Sequence, residues 1–299
     1  MESRSACWRS RSAAVNEARS LRVGDWARLL LLAAIWGASF LFIRIAAPVF
    51  GVVATADVRM LIAGTALAAY YLVTGFDAQW RRWWRYYLAI GALNSVLPFL
   101  LYGYAALDLT VGLLAVLNAT SPMWGALLSA VVLRERMSGG RIAGLLVGVA
   151  GVALVSGAEA SERWLALLAG LAAAFCYGLT GVVMRRWARE TTAKGMAAGS
   201  LLMGGLVLAP LMAIAPPAWP GVPVALAMLA LGLVCGSVAY ILYFRLMADI
   251  GATGALTVTY LIPIFGVAWG ALFLGEALTP AMLAGALVVI LGTVLVLRN

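Results

Sequence analysis

The chain alternates long apolar stretches with short polar breaks. Ten apolar runs occupy roughly 26–47, 51–74, 84–106, 110–132, 140–157, 163–184, 194–215, 222–246, 252–274 and 279–297. A helix needs about 20 apolar residues to cross the ~30 Å hydrocarbon core, and most of these runs supply them. None alternates apolar and polar positions in the manner of a barrel strand. Lipid admits only backbone that satisfies its own hydrogen bonds. The pattern therefore predicts an all-α integral membrane protein with ten transmembrane helices and short joining loops, such as the helix-breaking Pro216-Pro217-Ala218-Trp219-Pro220-Gly221.

The fourth and ninth runs resemble one another. Pro122, Gly125, Ala130, Leu133, Glu135, Gly144 and Gly151 are matched 141 residues later by Pro263, Gly266, Ala271, Leu274, Glu276, Gly285 and Gly292. The same register pairs Gly37 with Gly178, Arg44 with Arg185, Gly64 with Gly205, Gly91 with Gly232, Tyr102 with Tyr243 and Asp108 with Asp249. The chain thus reads as two five-helix repeats, residues 26–157 and 163–297. Because five is odd, the second repeat enters from the opposite side, which is the inverted architecture of many secondary transporters. Residues 1–25 are rich in arginine and serine and read as a disordered basic cytoplasmic tail. The spanning length of the run that follows argues against a signal peptide.

Composition sharpens this picture. Hydrophobic residues make up 64% of the chain and charged residues 11%, too few charges to cover a water-soluble domain of 299 residues. The net charge of +9 suggests orientation rather than a nucleic-acid partner, because the arginines lie at the ends of apolar runs. With the amino terminus inside, all 21 basic residues except Arg44, Arg59 and Arg163 fall in cytoplasmic segments. Both termini are therefore expected in the cytoplasm, and the protein in the inner (plasma) membrane. The chain has no histidine, so a histidine metal site or catalytic triad is excluded. Cys7, Cys176 and Cys235 show no CxxC spacing and read as a tail thiol and two packing residues. No GxxxxGK[ST] phosphate loop occurs. No catalytic residue, metal or cofactor is expected.

These features resemble the drug/metabolite transporter superfamily, and within it the ten-helix EamA-type carriers. The matching residues are Ile35-Trp36-Gly37-Ala38-Ser39-Phe40, Arg59, and Pro122 and Pro263 with the apolar runs leading to Glu135 and Glu276. The glycine-spaced fifth and tenth runs also match. The resemblance covers about residues 26–297, and within the family the chain looks most like aromatic amino acid exporters. It implies a metabolite carrier, with Trp36 and Ser39 among the residues that meet the substrate. One departure is Arg134-Glu135-Arg136, where the second repeat has Gly275 before its glutamate. That departure suggests Glu135 sits in a salt-bridged turn.

Proline lacks the N–H that would bond the carbonyl four residues back, so it frees that carbonyl and bends the helix. Pro98, Pro122 and Pro263 free the carbonyls of Asn94, Asn118 and Thr259 near mid-span, making all three prolines gating candidates. Either the polar residues line a central cavity between helices 1–4 and 6–9, or their side chains cap the kinks. Ser121 shares a helix face with Asn118. Trp36, Tyr177 and Tyr240 are mid-span aromatics suited to an apolar or aromatic substrate group. Arg59, a charge inside the membrane, is the candidate for holding a substrate carboxylate. The expected function is export of small metabolites, most of all amino acids, by alternating access and without tight ion coupling. The rival is a proton-coupled exporter of cationic drugs, which needs a buried carboxylate; Asp57 is the clear one in the spans. Gly-xxx-Gly pairs permit either a monomer or a homodimer.

Overall fold

The computed structural model describes residues 22–157, 162–187, 191–214 and 216–298. Most of the expected tail lies outside these residues, and the first helix already begins at Val23. Ten helices are long and apolar enough to cross a membrane: α1 Val23–Phe50, α2 Val52–Val73, α3 Trp80–Ala105, α4 Val111–Val132, α5 Gly139–Ser156, α6 Trp164–Arg186, α7 Ala193–Ile214, α8 Val222–Gly251, α9 Gly254–Leu274 and α10 Pro280–Arg298. With ten spans, the start of α1 and the end of α10 share one face, called here the terminal face. The other is the opposite face.

α1 extends three residues beyond its apolar run at each end, and α3 and α8 extend further at one end. α3 begins at Trp80, because Trp80-Arg81-Arg82-Trp83 forms an amphipathic first turn. α8 continues past Arg245 to Gly251, and Asp249 near its end is bonded to Arg28 of α1. Gly251 has φ of +77°, a left-handed value that lets the chain turn directly into α9.

The main packing pairs are α5 with α10, α2 with α7, α1 with α9 and α4 with α6. Their closest approaches occur at glycines, and these come in pairs 141 residues apart. A Cβ on Gly37 of α1 would lie 2.8 Å from the Phe265 Cβ of α9, and one on Gly178 of α6 would lie 2.8 Å from the Trp124 Cβ of α4. A Cβ on Gly64 would lie 2.7 Å from the backbone of Leu202, and one on Gly205 would lie 2.6 Å from the side chain of Leu61. Small residues allow helices to approach this closely where no hydrophobic effect drives them together. The largest buried cluster includes Phe40, Ala46, Tyr102, Ala105, Leu109, Val111 and Leu114. It draws on the later part of α1, the end of α3 and the start of α4, and so fills the opposite face.

The helix irregularities differ from the proline expectation. α4 does break, at Ala119–Thr120, just before Pro122. In α3 the irregularity before Pro98 is a π-helical segment, Ala92–Val96, in which Leu97 N–H reaches the Ala92 carbonyl. In α9, helix Val258–Leu274 runs through Pro263 without interruption. Its irregularity lies earlier, at Thr257, where the hydroxyls of Thr257 and Thr259 donate to the Gly254 and Leu256 carbonyls at 2.7 and 2.8 Å. α8 carries a longer π-helical segment, Ala230–Val238, with no proline in it. Residues 141 positions after Ala92–Val96 fall inside it, so α3 and α8 share the irregularity although only α3 has the proline.

Candidate functional site

A cavity of about 650 Å³ runs from mid-bundle to the terminal face. This is a typical size for a small-molecule site, about 300–1,000 Å³. Its walls come from α1–α4 and α6–α9, with Glu135 of the α4–α5 turn, Arg141 at the start of α5 and Val296 and Leu297 at the end of α10 added at the terminal face. All nine expected contact residues line it: Trp36, Ser39, Arg59, Asn94, Asn118, Ser121, Tyr177, Tyr240 and Thr259. Pro122 also lines it, whereas Pro98 and Pro263 stand off the wall. Gly266 and Gly270, on the α9 face that carries Thr259 and Ile262, pack instead against Ala115 and Val111 of α4.

Arg59 is only 8% exposed. Its guanidinium lies over the Phe99 ring, 3.7 Å from the centroid, a cation–π contact. Among the described residues no aspartate or glutamate forms an ion pair with it. A buried cation facing a cavity without a counter-ion is costly unless something anionic joins it. Phe99, missed in the sequence, sits five residues after Asn94, and nothing in the local pattern marks it as a partner for Arg59.

An aromatic wall stands beside this charge. Trp36 packs against Tyr243 and Tyr240 with centroids 5.3 and 6.2 Å apart. Tyr177 lies 6.2 Å from the Tyr102 ring. Tyr102 is buried and donates its hydroxyl to Asn118 Oδ1 at 3.2 Å, which fixes the Asn118 amide. Asn94 lines the same cavity as Tyr240.

The hydroxyl groups are committed as donors. Ser39 donates to the Trp36 carbonyl at 2.6 Å, Ser121 to the Asn118 carbonyl at 2.6 Å and Thr259 to the Leu256 carbonyl at 2.8 Å. Each oxygen keeps lone pairs but no spare proton. The carbonyl released by Pro122 is therefore capped within its own turn, yet Asn118 and Ser121 still line the cavity. Pro122 is the second residue of segment Ser121–Val132, where its missing N–H is an orphan in any case. Pro122→Ala is expected to change stability by less than about 1 kcal/mol, read as an almost unchanged unfolding temperature in detergent.

Asp57 is 2% exposed, and its Oδ1 has no hydrogen-bond partner, but it does not line the cavity. A cation exporter's carboxylate would have to face the cargo. Asp57→Asn is therefore expected to keep transport within about twofold and to hold or raise the unfolding temperature, since the isosteric amide carries no charge to be buried.

The glutamates of the two turns behave differently. Glu276 reaches from the α9–α10 turn to the start of α4, where its carboxylate accepts from Val111 N at 2.8 Å and Gly112 N at 3.4 Å. Thr110 caps Leu113 N at 3.2 Å beside it. Glu135 lies at the terminal end of the cavity and pairs with Arg185 at 2.7 Å and Arg141 at 3.9 Å. It is salt-bridged as expected, but by these residues rather than by its neighbours Arg134 and Arg136. Arg134 takes φ of +56° where the repeat has Gly275 at +66°. Both turns keep one backbone bond, Glu135 N to Ser129 O at 3.4 Å and Glu276 N to Gly270 O at 3.2 Å.

Ten apolar helices around a cavity that is packed shut at one face and reaches the other have the form of a membrane carrier. The chain belongs to the EamA-like transporter family, part of the drug/metabolite transporter superfamily; the family model matches residues 26–157 and again 164–298. A probable terminal-alkyne amino-acid exporter of Streptantibioticus cattleyicolor is 25% identical over 92% of this chain and 93% of its own. An uncharacterised transporter of Bacillus subtilis is 25% identical over 90% of both chains. One solved crystal structure matches with a TM-score of 0.65 at 20% identity, over 92% of this chain and 96% of that one.

Proposed function

We propose that this transporter exports amino acids with apolar or aromatic side chains from the cytoplasm across the plasma membrane. The observation that carries the reading is Arg59, a buried guanidinium on the cavity wall without an acidic partner. It is suited to a substrate carboxylate, which it can bind with two parallel N–H donors. The oxygens of Ser39, Ser121 and Thr259 can only accept, and so suit the donors of an ammonium group. Trp36, Tyr177 and Tyr240 offer ring faces to the side chain. Donor on one wall, acceptors on others and aromatic surface between them match a zwitterion better than a free cation. The naming of one relative as a probable amino-acid exporter agrees with this reading.

Transport then proceeds by alternating access between two inverted halves, residues 26–157 and 163–297, with the terminal face in the cytoplasm. The glycine approaches paired at the 141-residue offset support the inversion, and the basic residues near the terminal face support the orientation. The glycine pairs of α5, α8, α9 and α10 are occupied by contacts inside one chain, which favours a working monomer. The test is counterflow in proteoliposomes with labelled phenylalanine. Excess unlabelled apolar amino acid should compete, while phenethylamine, which lacks the carboxylate, should not. Equal competition by the amine would sink the reading.

A further inference from the structure

Resting on this alternating-access reading, we propose that Glu276 with Arg44, and Glu135 with Arg185, are two copies of one latch that close the two faces in turn. The two copies lie 141 residues apart and occupy different arrangements in this single structure. At the packed opposite face both residues grip the corner between α3 and α4. Arg44 donates to the carbonyls of Ala106 and Leu107 at 2.8 and 3.0 Å, at the end of α3. Glu276 accepts from Val111 and Gly112 N–H, at the start of α4. A cation on a helix's carbonyl end and a carboxylate on a helix's N–H end each complement the helix dipole. At the terminal face the corresponding Arg185 and Glu135 hold each other instead, at 2.7 Å, with the cavity beside them.

The corner that this second copy would grip is known from the register. The counterparts of Ala106 and Leu107 are Met247 and Ala248 near the end of α8, and those of Val111 and Gly112 are Ala252 and Thr253, the two residues that lead into α9. When the terminal face closes, Arg185 and Glu135 part and take these four backbone groups, while Arg44 and Glu276 release theirs. In this structure α1 packs on α9 and α6 on α4, with Arg44 on α1, Arg185 on α6 and the two glutamates in the turns that follow α9 and α4. The counterpart of Thr110, whose hydroxyl helps cap α4, is Gly251, which has no side chain to do so. Glu135 therefore supplies the side-chain cap for α9, and the terminal latch is the weaker of the two.

Double electron–electron resonance on the full chain in nanodiscs tests this. The three native cysteines are replaced, and spin labels are placed at Met137 and Ala248 across the terminal face or at Tyr104 and Leu278 across the opposite face. Glu276→Gln removes a charged cap from the closed opposite face and should shift the two-state ratio roughly tenfold toward opposite-face-open. Glu135→Gln should move the ratio the other way by a smaller factor, because it also loses an exposed ion pair. The double variant should return toward the wild-type ratio. Two wild-type populations left unmoved by either substitution, or moved in the same direction by both, would overturn the latch alone. A single fixed distance at each face, with and without substrate, would remove the alternating-access reading and the latch together. Glu135→Gln changes only the solvent-accessible pairs with Arg185 and Arg141 in this structure, so it stays readable if Glu276→Gln fails to fold.

Discussion

Arg59→Gln is expected to abolish amino-acid transport while leaving folded protein in the membrane. The guanidinium touches Phe99 and borders the cavity, and no carboxylate of the described chain relies on it. Removing it therefore strands no buried partner. Losing one side of a desolvated charge pair costs about 2–5 kcal/mol, or roughly 30- to 5,000-fold in affinity. Phenylalanine binding, followed by thermal stabilisation or tryptophan fluorescence, should fall by that factor. Binding of phenylalanine methyl ester, if any occurs, should not. Arg59→Lys should recover part of the binding, since it restores charge but not the paired donors. A variant that unfolds, or one that binds phenylalanine normally, would return Arg59 to a packing role.

Leucine at Gly292 or Gly144 is expected to remove the folded protein itself. A Cβ at Gly292 would lie 2.6 Å from Gly148 N and 2.7 Å from the Gly144 carbonyl. One at Gly144 would lie 2.7 Å from the Gly292 carbonyl. These neighbours are backbone and cannot rotate away, so α5 and α10 must separate. The cost is expected at about 3 kcal/mol or more, at or beyond the upper end for overpacked cores. Monodisperse protein in detergent chromatography should fall sharply. Gly181→Ala is the matching control: no atom lies within 4 Å of its Cβ position, and its monodisperse yield should not change.

The spans and the cavity residues were legible because each follows from a local property. Hydropathy over about 20 residues marks a span, and a mid-span proline, amide or arginine is rare enough to mark a polar interior. The prolines themselves misled in part. Pro263 sits in continuous helix, because the disturbance in α9 falls at Thr257, where threonine hydroxyls can cap it. The π-helical segment of α8 has no proline to announce it. Its one visible trace is its alignment with the segment before Pro98. The partners of Glu276 and Glu135 were hidden for a different reason. Glu276 reaches residues 165 positions away, and Arg185 lies 50 positions from Glu135. Neither contact follows from periodicity, and a glutamate in a repeated turn looks the same whether it caps a distant helix or faces water.

The glycine contacts also bear on how the protein is made. Gly37 fits against Phe265 and Gly266, and Gly64 fits against Leu202. Each groove on the early helices is filled by a helix synthesised much later. Insertion into the bilayer and helix packing are separate stages, so α1 and α2 can enter the membrane long before their small faces have anything to meet. During that interval, ribosome-bound chains expose grooves that other membrane segments can occupy. Assembly of this carrier is thus a late event, completed only when α9 arrives to close on α1 and α10 on α5.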